Sequence, residues 1–198
     1  TVDAAESLLS DAKKANPSLV IAPTKQQRIA IHSVIKWFLR PGKDEKSLKN
    51  KNIPDGLDGA MFVQGIAGTG KTKIVVKWTL NLLSKLGYLK NDEVIAFSNT
   101  ESNTIDLNAT VFPGRKIETP KASLNISKED IPNTVKLLVI DEAAFLSREE
   151  LNNVASVIDE VNESRKSAGL KPVKLVMLGD PNQISNTLST DSLGSPLN

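Results

Sequence analysis

The segment Gly65-Ile66-Ala67-Gly68-Thr69-Gly70-Lys71-Thr72 constrains this chain more than any other. It follows a short apolar run, Ala60–Gln64, and opens an amphipathic stretch from Gly70 to Leu86. A glycine-rich turn between a strand and a helix lets the backbone curl until its N–H groups and the helix N-terminus face one point. That arrangement suits an anion, above all a phosphate chain. Lys71 then reaches the outer phosphates, and the Thr72 hydroxyl is a hard oxygen suited to Mg²⁺. The plain alternative is a glycine turn that binds nothing. The fit to G-x-x-x-x-G-K-[ST] at every fixed position, in the required strand-to-helix context, favours phosphate binding.

Composition narrows the rest by exclusion. The 198 residues contain no cysteine, so disulfides, thiol nucleophiles and thiolate metal sites are ruled out, and a reducing, cytoplasmic setting fits. A single histidine, His32, gives no His-rich zinc site. No apolar run is long enough to span a bilayer, so no membrane role is expected. Residues 1–20 lack the pattern of a signal peptide. The net charge of +2 is too balanced for a protein acting mainly through a basic surface, so any nucleic-acid contact is local.

The pattern of elements predicts an α/β fold, a parallel sheet with helices on both faces. Residues 1–22 read as a lead-in, with a helical pattern over Ala4–Ala15. A helix opens at Thr24, carries Ile31, Val34, Ile35 and Phe38 on one face, and ends by Pro41-Gly42. Residues 43–58 read as a polar surface insertion with Lys43, Lys46, Lys49 and Lys51. The helix after the glycine turn is expected to end at Gly87. Strands are expected at Glu93–Ser98, Lys136–Ile140 and Val173–Leu178, with irregular chain over 111–135. Ser147 and Glu150 make a capping box for a helix carrying Leu151, Val154, Ile158 and Val161. Residues 185–198 are Ser/Thr/Asn-rich and read as a loop or an end.

Two further strand ends carry polar clusters. Val139-Ile140 delivers Asp141-Glu142 where ligands bind in open α/β sheets. Asp141 can share Mg²⁺ with Thr72, and Glu142 can orient or deprotonate a water attacking a γ-phosphate. Beside a phosphate loop this outweighs a merely solvated Asp-Glu pair. Leu178 leads into Gly179-Asp180-Pro181-Asn182-Gln183. Most of that is turn chemistry, but Gln183 offers an amide that can sense a γ-phosphate with donor and acceptor alike.

Three motifs in order, GIAGTGKT (65–72), VIDEA (139–143) and LGDPNQI (178–184), resemble motifs I, II and III of superfamily 1 helicases, the UvrD and RecD-like translocases. Thr24-Lys25-Gln26-Gln27-Arg28-Ile29-Ala30 is similar to their Q-x-x-A element. The resemblance implies the first RecA-like P-loop NTPase domain of such a motor, over residues 23–184, with ATP and Mg²⁺ as cofactors. It implies that Gln27 holds adenine and that Lys71, Glu142 and Gln183 are catalytic. By the same resemblance Gly65–Thr72 and Asp141 bind the nucleotide, with Thr72 and Asp141 on the metal. A loose match to motif Ia implies that Ser98, Asn99 and Thr100 contact single-stranded DNA or RNA. A second RecA-like domain, in cis beyond residue 198 or in trans, is expected to complete the site with an arginine.

Other readings stay open beside this one. A self-contained ATPase of the PhoH kind also carries a G-D-x-x-Q element, and a nucleotide fold can serve assembly without turnover. A GTPase is disfavoured, because the near match to N-K-x-D, Ser127-Lys128-Glu129-Asp130, precedes the acidic strand. Lysines 43–51, Arg115, Lys116 and Lys121 could touch phosphates, although solvated charge is the simpler account.

Overall fold

The computed structural model describes residues 23–40, 59–66, 68–112 and 121–180. The expected lead-in (1–22), the insertion (43–58), Ala67, Arg115, Lys116, Gln183 and the stretch 185–198 lie outside the described residues. Among the described residues, four strands form one parallel sheet in the order β1-β4-β3-β2. They are β1 (Met61–Gln64), β2 (Val94–Phe97), β3 (Leu137–Ile140) and β4 (Lys174–Gly179). The helices are α1 (Lys25–Leu39), α2 (Lys77–Lys85), α3 (Glu101–Val111) and α4 (Arg148–Ser167).

Strand alternation divides the core in two. Leu137 and Val139 of β3, with Val176 and Leu178 of β4, pack beneath α1, α2 and α3. Leu138 and Ile140, with Leu175 and Met177, face the other way and pack beneath Val154, Ile158 and Val161 of α4. Every residue of β3 is therefore buried, which is why its sequence is continuously apolar. Helices cover both faces of the sheet, with thinner cover at β1. Val63 faces the three-helix layer, but Phe62 is 42% exposed, and the buried strand residues of the α4 cluster come from β2, β3 and β4. The α4 layer covers β2, β3 and β4 and stops short of the β1 edge.

Helix ends follow local chemistry. Thr24 caps α1 in a full capping box with Gln27, and Ser147 does the same for α4 with Glu150. Arg40, the residue before Pro41, is extended and ends α1. Gly87, at φ +75°, ends α2 with its N–H donating to Ser84 and the Tyr88 N–H to Leu83. Ser127 and Asp130, in the segment resembling N-K-x-D, form a capping box of their own, and Lys121 pairs with Asp130 at 2.8 Å. Among the described residues no helix is long and apolar enough to cross a membrane.

One contact ties α1 to the sheet. The Lys174 ammonium, at the start of β4, donates to the carbonyls of Trp37 (2.9 Å), Phe38 (2.8 Å) and Arg40 (2.8 Å). It also lies 5.2 Å from the Trp37 ring centre and 5.7 Å from that of Phe38. Carbonyls at a helix C-terminus lack intrahelical partners and carry negative charge, so a cation there satisfies both needs. Burial, with Lys171 and Arg40 nearby, pushes this ammonium below its usual range. Lys174→Met is expected to cost about 2–4 kcal/mol, because it strips charge-assisted hydrogen bonds from part-buried carbonyls. Urea unfolding measures this, and an unchanged midpoint would show that α1 is held by its apolar face alone.

Candidate functional site

The parallel register places the C-terminal ends of β1, β3 and β4 along one edge of the sheet. The Gly65 N–H, just past β1, donates to Gly179 at the end of β4 (3.1 Å). The Asp141 N–H, just past β3, donates to Phe97 at the end of β2 (2.9 Å). Each ladder thus continues one step into the functional segment and fixes where that segment begins.

The glycine loop is held by its own side chains. The Thr69 hydroxyl (2.7 Å) and N–H (3.2 Å) both donate to the Ile66 carbonyl. The Lys71 ammonium donates to the carbonyls of Gly65 (2.5 Å) and Ile66 (3.2 Å), so the cation lies over the loop. Gly70 has φ +79°, and a Cβ there would sit 3.0 Å from Ile74 Cδ1 and 3.1 Å from Gln27 Nε2. The conformation therefore favours glycine, and the space is tight against two side-chain ends. A continuous α-helix was expected from Gly70. The first turns, Lys71–Val76, are instead wound as a π-helix, and the Gly70 carbonyl accepts from both Ile74 (2.8 Å) and Val75 (3.1 Å). Single π turns recur at functional sites because they widen the helix locally.

The two residues expected to share Mg²⁺ are brought together. The Thr72 hydroxyl donates to Asp141 Oδ2, joining the glycine loop to the acidic strand end. Asp141 Oδ1 accepts the Glu142 N–H at 2.9 Å, so the carboxylate is fixed through both oxygens. A hydroxyl and a carboxylate in contact are the hard donors Mg²⁺ accepts when phosphates and water complete its shell. Among the described residues no group of three or more His, Cys, Asp or Glu could hold a metal by itself. The donor set therefore fits a metal that arrives with a phosphate ligand.

Glu142 stands in an unusual state. Its φ of +56° makes it the one non-glycine residue with positive φ among the described residues. Such a conformation costs roughly 1 kcal/mol for a residue with a Cβ and clusters at functional sites. Its carboxyl is pushed above the usual glutamate range, first by burial, then by Asp141, against the pull of Lys71 and with a further push from Asp180. A raised carboxyl is a stronger base once ionised, which suits proton abstraction from water near neutral pH.

Asp180 is a functional neighbour that turn chemistry conceals. In the sequence it reads as turn material, yet it is buried at the end of β4 and close enough to raise the Glu142 carboxyl. The usable signal was positional, since it follows its strand as Asp141 follows β3. Gly179 has a related role: a Cβ there would sit 3.2 Å from the Ala144 backbone nitrogen, so glycine lets the turn after Glu142 pack on β4.

The expected nucleic-acid residues divide. Ser98 is only 2% exposed, its N–H donates to Thr104 Oγ1 (2.9 Å), and its carbonyl accepts from Ser123 (2.7 Å). Its side chain is turned into the protein, because the chain folds over it. Thr100 is exposed and caps α3 through the Asn103 N–H (3.1 Å), while Asn99 accepts from the Asn103 side chain (2.8 Å). Gln27 is half-buried and donates to the Thr69 carbonyl at 2.7 Å.

The Glu142 environment has a consequence for stability. A carboxyl raised in the folded state destabilises that state while ionised, and the penalty disappears as pH falls through the folded value. Glu142→Gln is therefore expected to be more stable than the parent at neutral pH. The difference should shrink toward zero as the pH falls into the ordinary glutamate range. Paired denaturant titrations at several pH values test this, and a difference independent of pH would contradict it.

The chain matches the family model described as AAA domain over residues 51–188. No curated protein matches the chain. The matched span includes the glycine loop, all four strands, the acidic strand end and Gln183, and the parallel sheet with its flanking helices is the α/β architecture of a P-loop NTPase. Such domains typically use ATP and Mg²⁺, the pair that the contact between Thr72 and Asp141 suits. The chain belongs to the AAA domain family of P-loop ATPases.

Proposed function

We propose that this chain is the ATPase core of a superfamily 1-type motor that couples Mg-ATP hydrolysis to movement on single-stranded nucleic acid. The observation that carries the ATPase part is the junction of Thr72 with Asp141, beside a strained and electrostatically raised Glu142. Thr72 and Asp141 would hold Mg²⁺, which when bound neutralises charge on the phosphate oxygens. Lys71 transfers its ammonium from the carbonyls of Gly65 and Ile66 to the outer phosphates. Glu142 accepts the proton of the attacking water. Asp141, fixed through both oxygens, keeps the Glu142 backbone in place while this happens.

The motor part rests on sequence resemblance: LGDPNQI at 178–184 and the ordered motifs before it. In this reading Gln183 senses the γ-phosphate, and an arginine from a second RecA-like domain completes the site. Single-stranded DNA or RNA lies along the sheet edge near Asn99 and Thr100, whose side chains are not buried, and not at Ser98.

Lys71→Ala is expected to abolish nucleotide binding, and ATP-binding titration measures it; retained binding at the parent level would reject the site. Glu142→Gln should keep ATP binding and lower the hydrolysis rate by about 10²–10⁴-fold. The motor reading predicts single-strand affinity that falls as salt rises, by release of counterions. An absence of binding at low salt would leave an ATPase without a track.

A further inference from the structure

Gln27 was expected to read adenine, and its bonds suggest another task. Its side-chain oxygen accepts the Thr24 N–H at 2.8 Å, and its side-chain nitrogen donates to the Thr69 carbonyl at 2.7 Å. The orientation of the amide is not open to reversal. A backbone N–H can only donate and a carbonyl can only accept, so exchanging oxygen and nitrogen would break both bonds. The amide is therefore fixed at both ends within its own chain, one end on the first turn of α1 and the other on the glycine loop.

The bond to Thr69 acts on the next peptide group. The Thr69 carbonyl and the Gly70 N–H belong to one planar trans unit and point in opposite directions. Holding the carbonyl toward Gln27 therefore aims the Gly70 N–H away from it. Thr69 is also the residue that closes the loop onto Ile66, through its hydroxyl and its N–H. A Cβ on Gly70 would lie 3.1 Å from Gln27 Nε2, so the two are in close contact. The amide thus lies directly against the part of the loop whose donors face a phosphate.

We infer that Gln27 is a positioning residue for the phosphate loop. It clamps the peptide between Thr69 and Gly70, and so supports polyphosphate binding whatever base is attached. This rests on the nucleotide-binding reading given above. It separates from that reading because it concerns which part of the ligand responds to Gln27.

The test compares the full chain with Gln27→Ala for binding of ATP, GTP and inorganic tripolyphosphate. The expected result is a similar loss for all three, about three- to tenfold, the size of one hydrogen bond. Loss for ATP alone, with GTP and tripolyphosphate unchanged, would overturn the inference in favour of adenine readout. Unchanged binding of all three would overturn it in favour of a helix cap only. Gln27→Glu keeps an acceptor for the Thr24 N–H but cannot donate to Thr69. Measured at high salt, which screens its added charge, it should keep the melting temperature of the parent and lose affinity for all three ligands. It covers the case in which Gln27→Ala unfolds, and parent-like affinity in a folded Gln27→Glu would overturn the inference. A parent chain that binds none of the three rejects the ATPase reading, and this inference with it.

Discussion

All four strands run in the same direction, and the shared register decides where chemistry can collect. Parallel strands end together, so the segments that follow β1, β3 and β4 emerge side by side. The glycine loop, Asp141-Glu142 and Asp180 are far apart in sequence and meet because of this geometry alone. The ladder bonds from Gly65 to Gly179 and from Asp141 to Phe97 extend that order past the strands themselves. With β3 buried on both faces and bounded by Lys136 and Asp141, a slip in register would carry a charged residue into the core, so the edge is held in place by the core.

On this frame the site is held from two directions. From within the sheet, Asp141 links the Thr72 hydroxyl to the Glu142 backbone and steadies a residue whose backbone is strained. From outside, α1 acts as a strut. Lys174 grips the carbonyls at its C-terminal end, and Gln27 at its N-terminal end grips the glycine loop. Ile31 and Val34 fill the space between and seat the strut on the helical layer. The strut therefore connects the entrance of β4 with the loop that follows β1.

Much of the scaffold could be read from local chemistry, because each signal acts over a few residues. Thr24, Gly87 and Ser147 mark helix ends through bonds to near neighbours, and the apolar run of β3 announces burial on both faces. The joint role of Thr72 and Asp141 was legible because a phosphate loop and an acidic strand end have one usual partnership. What stayed hidden depends on contacts between distant segments. Nothing near Gln27 in the sequence points to Thr69, and nothing around Lys174 points to the end of α1. The positive φ of Glu142 has no local signature either, since glutamate has no preference for it. The burial of Ser98 stayed hidden for the same reason: a serine after a strand looks exposed until Ser123 and Thr104 are folded over it. The exposure of Phe62 likewise follows from where α4 lies, which its own pattern of apolar residues does not encode.

The strand order also carries a consequence in time. In the described sheet β1 has one neighbour, β4, and β4 is the last of the four strands in the chain. During synthesis the glycine loop emerges early but lacks the strand that anchors it until the last of the described strands has been made. Pairing across such a long separation is entropically slow. The nucleotide site is thus among the last parts of the domain to mature, and a nascent chain holds its most recognisable motif well before it can use it.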